Sequence, residues 1–214
     1  MMSSLKKITE DILFIIPAKG NSTRIKNKNI LKVNRKRLIE YTFNLLKKIN
    51  IKENVYVSSE SSKIKKITIK YGLKFIRRPK NLCKKSSSTE SAIIHSINYV
   101  KKHKKTFKWV VTLPPTSPLR STKTFLKVLK LIKLNKYDSV ITICKNRGYF
   151  WLKKKSSGFK KLFPKASRRQ QDRNSLFEET SSIYANKIKK LIKTNSMING
   201  KIGYVETSKN ESID

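Results

Sequence analysis

Ile12-Leu-Phe-Ile-Ile16 is an apolar run of β-branched and aromatic side chains without polar alternation. A strand apolar on both faces belongs inside a covered sheet, so this run predicts helices packed above and below a parallel sheet. Pro17 and Gly20 stop the strand. Asn21, Ser22 and Thr23 then offer backbone amides and short donors, while Lys19, Arg24, Lys26 and Lys28 supply cations for an anion. Amides plus flexible cations suit a polyphosphate. The spacing fits neither G-x-x-x-x-G-K-[ST] nor G-x-G-x-x-G, so neither the Walker A nor the dinucleotide pattern applies. The same segment also reads as an ordinary surface loop of a lysine-rich chain.

The sequence continues in alternating periods. Leu38, Ile39, Tyr41, Leu45, Leu46 and Ile49 recur at helical spacing, and a strand Asn54–Val57 follows. A helix near Ser61–Tyr71, a strand Leu73–Ile76, a helix Thr89–Lys102 and a strand Trp109–Leu113 repeat the pattern, followed by a helix Thr122–Leu134 and a strand Asp138–Cys144. This predicts a doubly wound α/β sheet in which the loops after Ile16, Ile76 and Leu113 share one cleft at the carboxyl ends of the strands. Between Lys145 and Glu179 the alternation fails, and Tyr149, Phe150, Trp151, Phe159 and Phe163 fall in a basic segment without period. That excursion, about 145–180, either covers a partner subunit or packs under a long loop. Strands Ser181–Asn186 and Lys201–Glu206 return around a lysine-rich helix.

With 214 residues and 37% hydrophobic side chains, the expectation is one domain spanning 1–214. No apolar run approaches the roughly 20 residues of a membrane helix, and Met1–Asp11 lacks the apolar centre of a signal peptide, so a cytoplasmic protein is expected. Cys83 and Cys144 stand far apart without C-x-x-C or His neighbours, which indicates neither a metal centre nor a disulfide framework. A net charge of +38 raises the question of nucleic acid. However, lysine outnumbers arginine 41 to 10, the lysines are scattered, and no recognised reader motif occurs, which argues against nucleic acid as the main partner.

Three further groupings carry chemistry. In Leu113-Pro-Pro-Thr-Ser-Pro-Leu-Arg120 three prolines stiffen a strand-to-helix loop that presents Thr116, Ser117 and Arg120, with Ser121 or Thr122 as helix cap. Arg77-Arg78-Pro79 with Ser86, Ser87, Ser88 and Thr89 suits a nucleobase or phosphate, or else a flexible loop and cap. Arg168-Arg-Gln-Gln-Asp-Arg173 offers forked donors for a carboxylate or polyol.

These motifs occur in order with Val57-Ser-Ser-Glu60, Lys28-Asn29-Ile30, Arg169-Gln-Gln-Asp172, Ser182-Ile-Tyr184 and Glu211-Ser-Ile-Asp214. From Ile12 to Asp214 the chain resembles the acylneuraminate cytidylyltransferases, the CMP-sialic acid synthetase family. The resemblance implies a Rossmann-like nucleotidyltransferase core, a homodimer formed through an inserted arm, and Mg²⁺ as cofactor. It implies transfer from CTP to a nonulosonic acid, giving the CMP-sugar and pyrophosphate for surface glycan biosynthesis. The alternatives are a related acid such as legionaminate, pseudaminate or Kdo, or a truncated or degenerate relative that binds nucleotide without turnover.

By the same resemblance Lys19 and Lys28 offset charge on the reacting phosphates, and Asn21, Ser22, Arg24 and Asn29 belong to the nucleotide loop. Arg78 and Thr89 fall where the family reads cytosine. Thr116, Ser117, Arg120, Arg169 and Gln171 fall on its sugar-acid side, Tyr184 supports the cleft wall, and Asp214 is a metal ligand. The general base stays unassigned. The chain departs from the pattern at Lys19 (arginine in the family), Thr23 (lysine), Pro114 (glutamine), Lys85 (an acidic residue) and Thr180-Ser181 (Asn-Gly). It carries Asp214 but not the second aspartate of the family's Ser-Ile-Asp-Ile-Asp ending, so a truncated carboxyl terminus is expected.

Overall fold

The structure is a computed structural model that describes residues 7–21, 25–103, 105–154 and 157–213. Its centre is the predicted apolar run, now strand β1 (Ile12–Pro17). The side chains of β1 divide by parity. Ile12, Phe14 and Ile16 enter one core with Ile39, Phe43, Phe125 and Leu129, whereas Leu13 and Ile15 enter a second with Ile93, Ile97, Val100 and Leu191. A strand alternates its side chains across the sheet, so a run with no polar alternation demands cover on both faces. Fully burying each such side chain contributes about 1.5–3 kcal/mol. On the first face the rings of Phe14 and Phe125 lie 5.9 Å apart.

The cover comes from α1 (Leu38–Lys48), α2 (Ser62–Lys70) and α4 (Thr122–Leu134) on the first face, and from α3 (Thr89–Lys102) and α5 (Ile188–Thr194) on the second. Their starts follow from local chemistry. Ser61, Ser88 and Ser121 each accept a hydrogen bond from the backbone N–H three residues on, satisfying a donor that the first helical turn leaves unpaired. Of the two cap candidates before α4, Ser121 takes the position.

Strands β2 (Lys32–Val33) and β3 (Lys36–Arg37) form a small hairpin before α1. The main strands are β4 (Val55–Ser59), β5 (Lys74–Arg77), β6 (Trp109–Thr112), β7 (Ser139–Asn146), β10 (Leu176–Lys187) and β11 (Ile202–Thr207). With β1 they form a seven-stranded sheet in the order β11-β7-β10-β6-β1-β4-β5. Strand β1 is parallel to β4 and β6, β4 to β5, and β11 to β7, while β10 runs antiparallel between β6 and β7. This mostly parallel, helix-covered sheet is the expected Rossmann-like α/β fold. Strands β1, β5 and β6 therefore end on one edge, where the predicted cleft opens. Among the described residues no helix is long and apolar enough to cross a membrane.

The arm differs from expectation. Strand β10 begins at Leu176, not Ser181, and Leu176–Glu179 pair with Cys144–Asn146 and Ile143, so β7 and β10 continue as a ribbon beyond the core. A hairpin of β8 (Trp151–Lys153) and β9 (Phe159–Lys161) fills the segment between them. These strands are largely exposed, so no core imposes the alternation that would have announced them. A register shift between Glu179 and Tyr184 marks where β10 enters the core, with Ser181 at φ 52°.

Candidate active site

Strand β1 delivers the first loop to the sheet edge. The Ala18 N–H donates to the Ser58 carbonyl at 2.9 Å, extending the β1–β4 pairing one residue past Pro17. Ten residues later the chain turns in a short 3₁₀ helix, Lys28–Ile30, where the buried Asn29 donates its side-chain N–H to the Lys19 carbonyl at 2.8 Å. That bond closes the loop on itself. Ser22, Thr23 and Arg24 lie outside the described residues.

The rest of the cleft assembles around this loop. Pro17, Lys19, Lys28 and Asn29 meet Arg78 from the end of β5, Thr89 from the first turn of α3, and Thr116 from the proline loop after β6. They enclose about 350 Å³, with Leu82, Ala92, Pro114 and Pro115 as apolar wall. The amino terminus of α3 adds the positive end of a helix dipole to three cationic side chains, a set matched to a nucleoside polyphosphate. A larger recess of about 840 Å³ opens near Ile12 and Trp109, at the amino ends of β1 and β6, and contains none of the motif residues.

Arg78 is buried, donating from Nη2 to the Ser58 carbonyl at 2.8 Å and from Nε to Ser58 Oγ at 3.2 Å. Burial lowers its pKa, partly opposed by Cys83 and Glu60. The Lys19 ammonium is exposed and donates to the Lys84 carbonyl at 2.9 Å, across the rim of the cleft. Ser87 and Ser88 serve as loop brace and helix cap, donating to the Asn81 carbonyl and accepting from the Ser91 N–H.

The remaining expected residues lie elsewhere. The Asn21 N–H, expected to face an anion, donates to Glu60 Oε1 at 3.1 Å, and Gly20 donates to the same oxygen at 2.8 Å. Ser117 is buried, its hydroxyl without a partner among the described residues. Arg120 does not line the cleft. It is buried, with Nε donating to the Ser182 carbonyl and hydroxyl, Nη1 to Thr42 and Nη2 to the carbonyls of Pro114 and Ser182. Burial pushes its pKa down to about 9, with Glu211 opposing, so the cation persists at neutral pH. Glu211 in turn accepts from the Ser121 N–H at 3.0 Å, tying the last 3₁₀ turn to the start of α4.

Arg169 and Gln171 sit exposed on the arm, respectively just before and within the 3₁₀ turn Gln170–Asp172, away from the cleft-lining set. Their neighbour Arg173 spends its fork internally, donating to the carbonyls of Ser167, Arg147 and Arg168 with its guanidinium 3.7 Å from the Tyr149 ring centre. Tyr184 is buried and donates to the Glu179 carboxylate; burial first, then that contact, raise its pKa. Among the described residues no three His, Cys, Asp or Glu side chains converge as a metal site, and Asp214 lies outside them.

Glu60 is the site residue that sequence reading left without a role. Burial raises its pKa, but N–H donors from its own backbone, Asn21 and Gly20, together with the Cys83 thiol, outweigh burial and hold it below the ordinary carboxylate range. The same pairing works on the thiol: burial and then the Glu60 charge push Cys83 up to about 11, so it stays protonated. A carboxylate directly after a buried strand in Val57-Ser-Ser-Glu60 was the available signal.

The chain is similar to several known proteins. The chain is 31% identical over 137 residues to post-translational flagellin modification protein B of Campylobacter coli, covering 62% of this chain and 57% of that protein. It is 29% identical over 136 residues to an N-acylneuraminate cytidylyltransferase of Escherichia coli, covering 63% of this chain and 32% of that one. A pseudaminic acid cytidylyltransferase of Campylobacter jejuni is 34% identical over 109 residues, 50% of this chain and 47% of that protein. The matches thus span between a third and somewhat over half of these relatives. Among solved structures, a CMP:2-keto-3-deoxy-manno-octonic acid synthetase complexed with CTP has the same fold, with TM-score 0.67, 13% identity and coverage of 92% of this chain and 90% of that one. The family model described as cytidylyltransferase matches residues 13–212, nearly the whole sequence, and the chain belongs to the cytidylyltransferase family.

Proposed function

We propose that the protein transfers a cytidylyl group from CTP to a nonulosonic acid of the sialic acid type, releasing pyrophosphate. The observation that carries this reading is the convergence of Lys19, Lys28, Arg78 and the amino terminus of α3 on one cleft at the sheet edge. Relatives named for sialic, pseudaminic and 3-deoxy-manno-octulosonic acids support an acidic sugar as the acceptor class.

In the proposed reaction the anomeric hydroxyl oxygen bonds to the α-phosphorus, the bond from that phosphorus to the α,β-bridging oxygen breaks so that pyrophosphate departs with that bonding pair, and the hydroxyl proton passes to solvent water. Negative charge grows on the departing pyrophosphate, which the Lys19 and Lys28 ammonium groups offset. Arg78, fixed by Ser58, and Thr89 orient the nucleoside end, and Thr116 faces the acceptor. Mg²⁺, in this reading, would rest on phosphate oxygens and water with Asp214 and would supply charge neutralisation. Arg169 and Gln171 are proposed to meet the sugar acid from the arm, within a homodimer.

The dimer proposal draws on the exposed apolar side chains of the arm. Trp151, Leu152, Phe159 and Phe177 are each more than half exposed there, an apolar surface that association would remove from water. Pyrophosphate release from CTP, Mg²⁺ and a panel of nonulosonic acids, with CTP binding followed by calorimetry, tests the function. Turnover with one acid names the acceptor, CTP binding without turnover identifies a nucleotide-binding relative, and absence of CTP binding overturns the reading.

A further inference from the structure

The residue that shapes the first loop comes from the neighbouring strand. Glu60 follows β4, and its Oε1 accepts from both Gly20 at 2.8 Å and Asn21 at 3.1 Å. The contact is close on the other side as well, because a Cβ added at Gly20 would stand 2.6 Å from Ser61 Cβ and 3.2 Å from Glu60 Oε1. Ser61 is itself held, donating its N–H to Ser59 Oγ at 3.1 Å and capping α2. The loop therefore docks on the rigid junction of β4 and α2.

The choice of acceptor is informative. Consecutive backbone N–H groups at the end of a strand are the usual anion cradle of such loops. Here a carboxylate takes those two donors, and placing a negative charge against a polyphosphate loop is unfavourable unless it secures something else. What it secures is the path of the chain immediately after Lys19. Asn29 holds the Lys19 carbonyl from one side and Glu60 holds the next two amides from the other, so the lysine backbone is pinned within one residue of its Cα. Lys19 and Lys28 both line the cleft from this loop, with the Lys19 ammonium at its rim on the Lys84 carbonyl.

We propose that Glu60 is a positioning residue for the triphosphate, acting through the Gly20 and Asn21 amides to aim Lys19 into the cleft. The inference rests on the nucleotide reading of that cleft. Its test compares Glu60→Ala, Glu60→Gln and Glu60→Asp in the full chain, using CTP and inorganic tripolyphosphate as probes. Loop order is read by amide hydrogen exchange over residues 19–29, and folding by thermal midpoint.

Glu60→Ala is expected to speed exchange at Gly20 and Asn21 and to weaken both probes by about tenfold, the loss of roughly one well-formed charged hydrogen bond. Glu60→Gln retains a carbonyl that accepts both N–H groups, so it is expected to restore affinity to within about threefold. Glu60→Asp, one methylene short, falls between them and decides the matter if the alanine variant does not fold. A folded Glu60→Ala with unchanged loop exchange and unchanged CTP affinity overturns the proposal, as does a Glu60→Gln as weak as the alanine variant. Wild-type protein that binds neither probe, while Glu60→Ala still frees the two amides, would instead overturn the nucleotide reading and leave the brace standing.

Discussion

Arg120 donates to the Ser182 carbonyl from two nitrogens, Nε at 3.0 Å and Nη2 at 2.6 Å. The contact joins the proline loop after β6 to the irregular entrance of β10, two segments 62 residues apart in sequence. It accounts for a buried guanidinium that does not line the cleft: the backbone at the β10 register shift leaves carbonyls that the ladder does not satisfy, and a forked cation satisfies them. Thr42 on α1 receives a further donor, at 3.2 Å, so one side chain links the proline loop, a core helix and the sheet.

Replacing Arg120 by Met is therefore expected to destabilise the protein rather than alter binding of the proposed sugar acid. The buried Ser182 carbonyl and the part-buried Pro114 carbonyl would lose this donor, costing about 3 kcal/mol, which lowers the thermal midpoint by roughly 10 °C for a chain of this length. Scanning calorimetry checks the loss. A variant with wild-type stability and a selectively raised KM for the sugar acid would return Arg120 to the sugar site.

Lys19→Ala has the opposite signature. The ammonium is exposed and its one carbonyl contact lies on the rim, so stability should stay within about 0.5 kcal/mol of wild type. Loss of a charge-assisted phosphate contact is expected to weaken CTP binding ten- to a hundredfold, measured by calorimetry. Unchanged affinity in the variant would remove Lys19 from the triphosphate site.

Residues whose role depends on one chain segment were readable in the sequence, and those whose role depends on distant partners were not. Ile12–Ile16 announced a covered central strand because burial on both faces leaves a mark at every position. Thr89 could be read as a cleft candidate from its place at a helix start, and Asn29 from the family resemblance; both line the cleft. Arg120 could not, since a guanidinium fork suits a substrate carboxylate and a backbone carbonyl equally well, and Ser182 lies too far along the chain to signal the difference. Glu60 was hidden for the same reason, its two partners lying about 40 residues earlier. Leu176–Glu179 pair with β7 but are mostly exposed, so nothing selected an alternating pattern there.

The arm predicts an oligomer. Trp151 and Phe159 stand 56% and 65% exposed on the β8–β9 hairpin, where they add nothing to the core of their own chain. Substituting both by Ser is expected to leave the thermal midpoint of the isolated subunit nearly unchanged while converting a dimer to a monomer in sedimentation velocity. A wild-type protein that sediments as a monomer at micromolar concentration would refute the dimer.

Glu60 also gives the protein a specific acid response. Its folded pKa lies below the ordinary carboxylate value because the loop amides and the Cys83 thiol favour the charged form more than burial opposes it. Between the folded and ordinary values the unfolded chain binds more protons, so stability rises with pH across that window. The Glu60 contribution is thus complete above the ordinary carboxylate pKa and is lost as pH falls through the lowered one. Glu60→Gln carries no titrating group, so the gap between its thermal midpoint and that of wild type should be constant from about pH 7 to 5 and shift toward the variant below that. Parallel curves down to about pH 3 would show that the carboxylate draws no net benefit from the Gly20 and Asn21 amides.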